Sequence, residues 1–111
     1  MSAQLRAGFI TVDITPPLGV FLAGHFNARP ANGLHDPLTA QVIVLELGEQ
    51  RLALVGCDLI GVTAELTELV RAKVRETVGI PPEHVMVWAT HTHAGPMMNS
   101  GRSEARDEEY F

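Results

Sequence analysis

One amphipathic helix between two short apolar segments is the feature that most constrains the fold of this chain. Residues 63–78 carry apolar side chains at helical spacing, and the flanking segments 51–58 and 85–90 are largely apolar. Thr63 is a good N-cap residue, and Gly79 stands where a glycine commonly ends a helix. Strand–helix–strand units cross over with a right hand, which makes their two strands parallel and brings them into one sheet. The pattern therefore predicts an α/β fold.

The segments before this unit predict further strands. The segment 39–58, TAQVIVLELGEQRLALVGCD, predicts a β-hairpin. Its first half alternates in hydropathy, residues 48–50 supply a turn, and residues 51–58 form a second, apolar strand. Residues 7–15 are rich in β-branched side chains and end at a Pro-Pro pair, which indicates another strand. Glycines and prolines in residues 18–37 predict a long loop, and such loops are often functional. The predicted fold class is α/β, with a mixed sheet that contains a β-hairpin and a strand–helix–strand unit.

Composition narrows the classes of partner. The 111 residues are 46% hydrophobic and fit one globular domain at most. A net charge of −5 argues against nucleic acid or an anionic membrane as the main partner, because both are bound through clusters of Lys and Arg. Cys57 is the only cysteine, so no disulfide forms within the chain. We expect Cys57 to be a small apolar core residue.

The N-terminal residues give an expectation for location. They include no apolar segment of signal-peptide length, and no part of the chain has the roughly 18–20 continuous apolar residues of a membrane-spanning helix. We therefore expect a cytoplasmic protein without a transmembrane segment, or a secreted one if a leader precedes these residues. The oligomeric state has no signature in the sequence.

The segment WATHTHAGP, residues 88–96, holds the clearest candidates for chemistry. If residues 90–93 continue in an extended conformation, His91 and His93 project to the same side. Two imidazoles placed this way can ligate one divalent ion, for which zinc is the leading candidate, or one can bind the metal while the other moves protons. A catalytic zinc usually takes about three protein ligands, so this pair is too few on its own. The alternative is that both histidines are hydrogen-bonded turn residues.

Asp58 is the second candidate. It follows the apolar segment LALVGC, and His91 follows the next predicted strand, so both are expected at the carboxyl edge of the sheet, where ligands of open α/β folds collect. Asp58 can orient an imidazole through its second ring nitrogen, or ligate a metal directly. Equally, it can accept hydrogen bonds from backbone amides of the turn at residues 59–62.

The other histidines are weaker candidates. His35 lies in the long loop and can face the site from there, whereas His25 in the same loop has less to support it. His84, at the start of a strand, is expected on the surface. Met97 and Met98 are expected to line an apolar wall rather than to bind metal.

Four motifs, in order, carry a family resemblance. They are DITPPLG, GLHDPLTAQVIVLELG, LVGCDLIG and PPEHVMVWATHTHAGP. With them the chain resembles the N-terminal portion of the neutral/alkaline (non-lysosomal) ceramidase family, from about residue 7 onwards. The resemblance implies a hydrolase of sphingolipid metabolism, a zinc-dependent amidase that cleaves the N-acyl bond of ceramide to give sphingosine and a fatty acid. It implies a lipid amide, or a related amide, as the substrate.

The resemblance also implies separate roles for the site residues. The first histidine of Thr-His-Thr-His is a zinc ligand in the family, and here it is His91. The second, here His93, lies in the active site beside an oxygen of the substrate or product. Asp58 matches the aspartate that follows the preceding strand, and we predict that it supports catalysis. The chain departs from the family pattern at Ala94, where a serine is usual, and at the methionine pair that follows Pro96.

The family completes its zinc site with a histidine, a glutamate and a tyrosine from later sequence. Residues 1–111 are thus expected to be the N-terminal portion of a larger catalytic domain, a fragment that alone binds zinc poorly and lacks amidase activity. Two alternatives stay open. One is a non-catalytic α/β module whose histidines are structural or bind metal weakly. The other is a metal hydrolase of the amidohydrolase-barrel type, against which the early Asp-Ile-Thr-Pro-Pro and the long loop argue.

Overall fold

A four-stranded mixed sheet with one helix forms the fold. The computed structural model describes residues 4–20, 22–24, 29–96 and 98. The strands are β1 (Leu5–Asp13), β2 (Thr39–Leu47), β3 (Gln50–Cys57) and β4 (Val85–Ala89); the helix α1 is Ala64–Val78, and a 3₁₀ turn covers Pro82–His84. The sheet order is β1-β2-β3-β4, with β1–β2 and β2–β3 antiparallel and β3–β4 parallel. The predicted mixed sheet, hairpin and strand–helix–strand unit are all confirmed.

The hairpin is tighter than the sequence indicated. Leu47 pairs with Gln50, so Gln50 belongs to β3 and only Gly48 and Glu49 form the turn. Gly48 has φ 60°, the left-handed conformation that two-residue hairpin turns commonly require. This turn sets the register of the two strands, and with it which side chains of β3 face the helix.

Both ends of α1 are capped as predicted. The Thr63 hydroxyl accepts a hydrogen bond from the Leu66 amide at 3.0 Å. At the other end Gly79 has φ 73° and its amide donates to the Arg75 carbonyl at 3.0 Å, which closes the last turn. These local signals fix where the helix begins and ends, and therefore how far the chain runs before β4.

The core lies between α1 and one face of the sheet. Val55 and Cys57 are buried with Leu59 and Met98, and Leu66 of the helix packs against them. A second cluster joins the buried residues Ala53, Ile80 and Val85 to Val70 and Val74 of the helix. Of the predicted apolar side of the helix, Leu66, Val70 and Val74 therefore make these contacts, whereas Leu69 and Val78 are exposed.

The opposite face of the sheet is apolar and open among the described residues. Side chains alternate along a strand, so Met86 and Trp88 point away from the helix that contacts Val85 and Val87. Met86 is 57% exposed and Phe9 of β1 is 77% exposed. A contiguous apolar surface of this kind is unusual for a free-standing soluble domain. No helix among the described residues is long and apolar enough to cross a membrane.

Candidate active site

The candidate site lies where β3 and β4 end side by side. Cys57 and Ala89 are partners in the parallel ladder, and Asp58 and Thr90 follow them directly. Beyond the ladder the two chain segments stay connected, because the Thr90 amide donates to the Cys57 carbonyl at 2.9 Å. The structure thus brings Asp58 and the histidine segment to the same edge, as the strand–helix–strand pattern predicted.

His91 has an unusual backbone conformation. Its φ is 68°, and it is the only residue other than glycine with positive φ among the described residues. Histidine is among the side chains that tolerate this region best, but the conformation still costs energy and persists only where contacts impose it. The His91 amide donates to the Leu59 carbonyl at 2.9 Å, which holds the backbone beside the segment after β3.

The ring of His91 is anchored through one nitrogen. Its Nδ1 lies 2.7 Å from the carbonyl oxygen of Ile60. A carbonyl only accepts hydrogen bonds, so Nδ1 carries the proton, and in the neutral ring the lone pair lies on Nε2. A backbone carbonyl on the far nitrogen is the usual way in which proteins orient a metal-ligating imidazole. The His91 ring therefore meets one geometric requirement of a metal-ligating imidazole.

His93 is anchored in the same manner by a different segment. Its Nδ1 lies 3.1 Å from the carbonyl oxygen of Gly24, in the long loop between β1 and β2. The rings of His91 and His93 meet edge to face, with centroids 5.1 Å apart and planes at 84°. The two imidazoles thus share one site, each with a protonated Nδ1 directed to a carbonyl.

The path between the two histidines differs from the sequence prediction. β4 ends at Ala89, and His93 and Ala94 lie in a turn, so residues 90–93 do not continue as a strand. The Thr92 hydroxyl accepts the Ala94 amide at 3.2 Å and supports this turn. A left-handed residue followed by a turn, rather than the alternation of an extended strand, brings the two rings together.

Asp58 makes a different set of contacts from the one expected. One carboxylate oxygen accepts the Thr39 amide at 2.9 Å and the Thr39 hydroxyl at 3.2 Å. The other accepts the Thr90 hydroxyl at 3.2 Å. The hydrogen-bond acceptor at His91 Nδ1 is the Ile60 carbonyl, where the sequence suggested a carboxylate. Asp58 therefore ties the start of β2 to the residue before His91, and it does so through Thr39 rather than through the amides of residues 59–62.

Described residues of the long loop contact the histidine segment and border a groove beside the site. The Ala23 amide donates to the Gly95 carbonyl at 2.9 Å, and Leu22 pairs with Pro96 in an isolated bridge. A cavity of about 830 Å³ lies under this loop and reaches Asp58, Thr92 and Ala94. Its wall is mostly loop side chains, among them Pro17, Leu18, Leu22, Arg29, Leu34 and His35. No sequence signal beyond the length of the loop pointed to this groove.

The other histidines and the methionines that the sequence singled out lie at different distances from the site. His35 lines the groove, but its side chain is fully exposed and lies 3.9 Å from the Asp36 carboxylate. His84 lies just before β4, at the opposite end of that strand from the site, and its exposed ring contacts the Arg51 carbonyl at 3.0 Å. Met98 is 5% exposed and packs in the core, as the prediction of an apolar role requires. His25 and Met97 lie outside the described residues.

Cys57 is buried beneath the site. Burial raises the pKa of its thiol, and the neighbouring Asp58 carboxylate raises it further. A thiol with a raised pKa is a poor nucleophile at neutral pH, since the thiolate is the reactive form. The expected role of Cys57 as a small apolar core residue agrees with its contacts with Val55 and Leu59.

The side chains at this edge of the sheet can be compared with the ligands that zinc binds. Zinc accepts imidazole nitrogen, and the orientation of His91 leaves Nε2 as its ligating atom. Among residues 4–20, 22–24, 29–96 and 98, no three His, Cys, Asp or Glu side chains are grouped closely enough to enclose an ion. These residues thus bring together two imidazoles, fewer protein ligands than a catalytic zinc usually takes.

Comparison with known proteins points to one group of enzymes. No protein-family model and no curated protein sequence matches the chain. Among solved structures, it is similar to neutral ceramidase from Pseudomonas aeruginosa, with a TM-score of 0.78, 29% sequence identity and 87% of this chain covered. It is also similar to a ceramidase complexed with C2, with a TM-score of 0.68, 26% identity and 86% of this chain covered.

The similarity concerns a small part of those enzymes. In both cases the chain spans 16% of the length of the ceramidase that it matches. Most of this chain is nevertheless superimposable on that part. The described residues of this chain form the mixed sheet and the helix α1. The structure therefore confirms the resemblance to the neutral ceramidases that the sequence motifs predicted.

Proposed function

We propose that this chain supplies part of the active site of a ceramidase-like, zinc-dependent hydrolase of N-acyl amide bonds. The observation that carries the proposal is the pair of imidazoles at the carboxyl edge of the sheet, both held through Nδ1 by backbone carbonyls. The similarity to neutral ceramidase adds the reaction class, and the four sequence motifs agree with it. The substrate would be ceramide, cleaved to sphingosine and a fatty acid, or a related amide.

His91 would hold the metal. Its Nδ1 is committed to the Ile60 carbonyl at 2.7 Å, so its Nε2 would be the ligating atom. Further ligands would come from residues outside the 111, because the described part of the chain groups fewer than three candidate ligands. When bound, zinc lowers the pKa of water toward about 7 and polarises an amide carbonyl.

His93 would move a proton beside the reacting carbonyl. With Nδ1–H directed to Gly24, Nε2 is the ring nitrogen that would accept a proton from the attacking water. The protonated ring then carries Nε2–H, which donates a hydrogen bond to the developing oxyanion or returns the proton to the leaving amine. One ring would thereby serve in both steps.

The remaining residues would shape the site. Asp58 binds both Thr39 and Thr90, which holds β2 and the residue before His91 in a fixed relation. The groove under the long loop offers leucine and proline side chains next to this polar edge. An apolar groove beside a few directed polar groups suits an amide with a hydrocarbon chain.

Hydrolysis of an N-acylsphingosine by the protein at its full natural length tests the proposal. We expect release of fatty acid and sphingosine, loss of this activity on treatment with a zinc chelator, and recovery on addition of zinc. A short N-acyl amide without the sphingoid part serves as the control for substrate class. Absence of hydrolysis of either compound by zinc-loaded protein would favour the non-catalytic module.

A further inference from the structure

Gly24 stands closer to the ring of His93 than any other residue type could. Its φ is 85°, in the left-handed region that favours glycine. A Cβ atom at this position would overlap His93 Nδ1, and it would lie 2.8 Å from His93 Cε1 and 2.7 Å from Ile60 Cδ1. Gly24 thus meets two requirements at once, the backbone conformation and the space for the imidazole.

The position of Gly24 is set by its neighbours. Ala23 is 3% exposed, and its amide donates to Gly95 within the same loop that carries His93. Leu22 bridges to Pro96, which is fully buried. Two backbone connections therefore hold the Gly24 segment against the histidine turn, although 69 residues separate Gly24 from His93 along the chain.

Ile60 joins this contact to the metal-ligand side of the site. Its carbonyl accepts from His91 Nδ1 at 2.7 Å, and its Cδ1 atom approaches Gly24. A side chain at position 24 would press on the His93 ring and on Ile60 together. Because Gly24 has no side chain, there is room for the two imidazoles at their spacing of 5.1 Å between centroids.

From these contacts we propose that Gly24 is a positioning residue for His93. Its carbonyl is the hydrogen-bond partner of His93 Nδ1, and its lack of a side chain leaves room for the ring at that contact. The positioning is a property of the structure, and its consequence for catalysis rests on the proposed function of His93.

Gly19 provides the matched control. It also has positive φ, 97°, but a Cβ there would meet nothing within 4 Å. Gly19→Ala carries backbone strain comparable to that of Gly24→Ala, without the approach to an imidazole. Any difference between the two variants therefore reports on the contacts of position 24 with His93 and Ile60, and the Ile60→Val background separates the two.

The test uses ring ¹⁵N NMR of His93 in the protein at its full natural length. In the unsubstituted protein we expect the Nδ1–H tautomer, and an Nε2–H tautomer would overturn the proposal. Gly24→Ala should change the His93 ring signals and Gly19→Ala should not; equal spectra for the two variants would also overturn it. If Gly24→Ala does not fold, Gly24→Ala/Ile60→Val removes the contact with Ile60 Cδ1 and retains the one with His93.

Kinetics separate this proposal from the proposed function. If the protein hydrolyses N-acyl amides, Gly24→Ala should lower kcat about 10- to 100-fold, because a displaced catalytic group costs rate more than substrate affinity. Unchanged kcat in an active enzyme would contradict the catalytic consequence. Altered His93 signals in a protein without amidase activity would uphold the positioning and reject the proposed function.

Discussion

The Nδ1 atom of His91 lies 2.7 Å from the carbonyl oxygen of Ile60, at a residue whose own φ is 68°. The ring and the backbone of His91 are thus both set by the segment that follows β3, since the His91 amide also donates to Leu59. A backbone held in the left-handed region by such contacts is a feature of many binding and catalytic sites. Its cost can be measured separately from any metal.

Replacement of His91 should reveal that cost. We expect His91→Ala to be less stable than His91→Gly by about 1 kcal/mol, because a non-glycine residue pays roughly 1–2 kcal/mol in the left-handed region. Both variants lose the imidazole, so the comparison isolates the backbone. Urea unfolding in the absence of metal measures the difference, and an alanine variant as stable as the glycine variant would show that φ relaxes at this position.

Asp58 should contribute to stability through its three hydrogen bonds. Asp58→Ala leaves the amide and hydroxyl of Thr39 and the hydroxyl of Thr90 without their acceptor. We expect a loss of about 2 kcal/mol in the free energy of unfolding, chiefly because the two partly buried Thr39 donors lose their acceptor. Asp36→Ala, at a carboxylate that is 86% exposed, is the control and should change stability by less than about 0.5 kcal/mol. Equal effects of the two substitutions would argue against the tie between β2 and Thr90.

Gly56 and Trp88 are partners in the β3–β4 ladder, and the indole covers the glycine. A Cβ at Gly56 would lie 2.6 Å from Trp88 Cζ2, so Gly56→Ala must displace the ring. We expect a destabilisation of about 1–3 kcal/mol and a change in the fluorescence of this single tryptophan. Gly8→Ala in β1, where a Cβ meets nothing within 4 Å, should leave the emission unchanged. An unaltered spectrum in the Gly56 variant would contradict the packing of Trp88.

The two faces of the sheet should respond differently to truncation. Ile80 is 1% exposed and packs beneath the helix, so Ile80→Ala should cost about 2–5 kcal/mol. Met86 on the open face is 57% exposed. In a protein of residues 1–111, Met86→Ala should lower the free energy of unfolding by less than about 1 kcal/mol. Thermal or urea unfolding compares them. A larger loss from Met86→Ala would mean that the open face is covered in solution.

The elements that the sequence predicted are those with local causes. Thr63 and Gly79 cap α1 through hydrogen bonds within a few residues, and Gly48 supplies the left-handed turn of the hairpin. The parallel pairing of β3 and β4 follows from the helical crossover between them, which returns the chain to the same end of the sheet. Such signals are contained in short windows of sequence, so they are readable without a structure.

The details of the site depend on distant segments. His91 is anchored by a carbonyl 31 residues away, and His93 by one 69 residues away, and any residue type can offer a backbone carbonyl. Asp58 was expected near an imidazole, but the partner that it has, Thr39, is determined by the packing of β2 against the end of β3. Residues 93 and 94 lie in a turn rather than a strand, and the backbone contacts of Gly95 and Pro96 beside them are with the distant long loop.

The different roles of the two imidazoles are the central claim, and zinc content together with amide hydrolysis tests them most directly. In the protein at its full natural length, His91→Ala should abolish bound zinc and activity together, because His91 Nε2 would be a ligand. His93→Ala should keep the zinc and lose activity by about 10²–10⁴-fold, the usual contribution of an acid–base group. Loss of zinc from the His93 variant, with zinc retained in the His91 variant, would contradict this assignment of the two histidines.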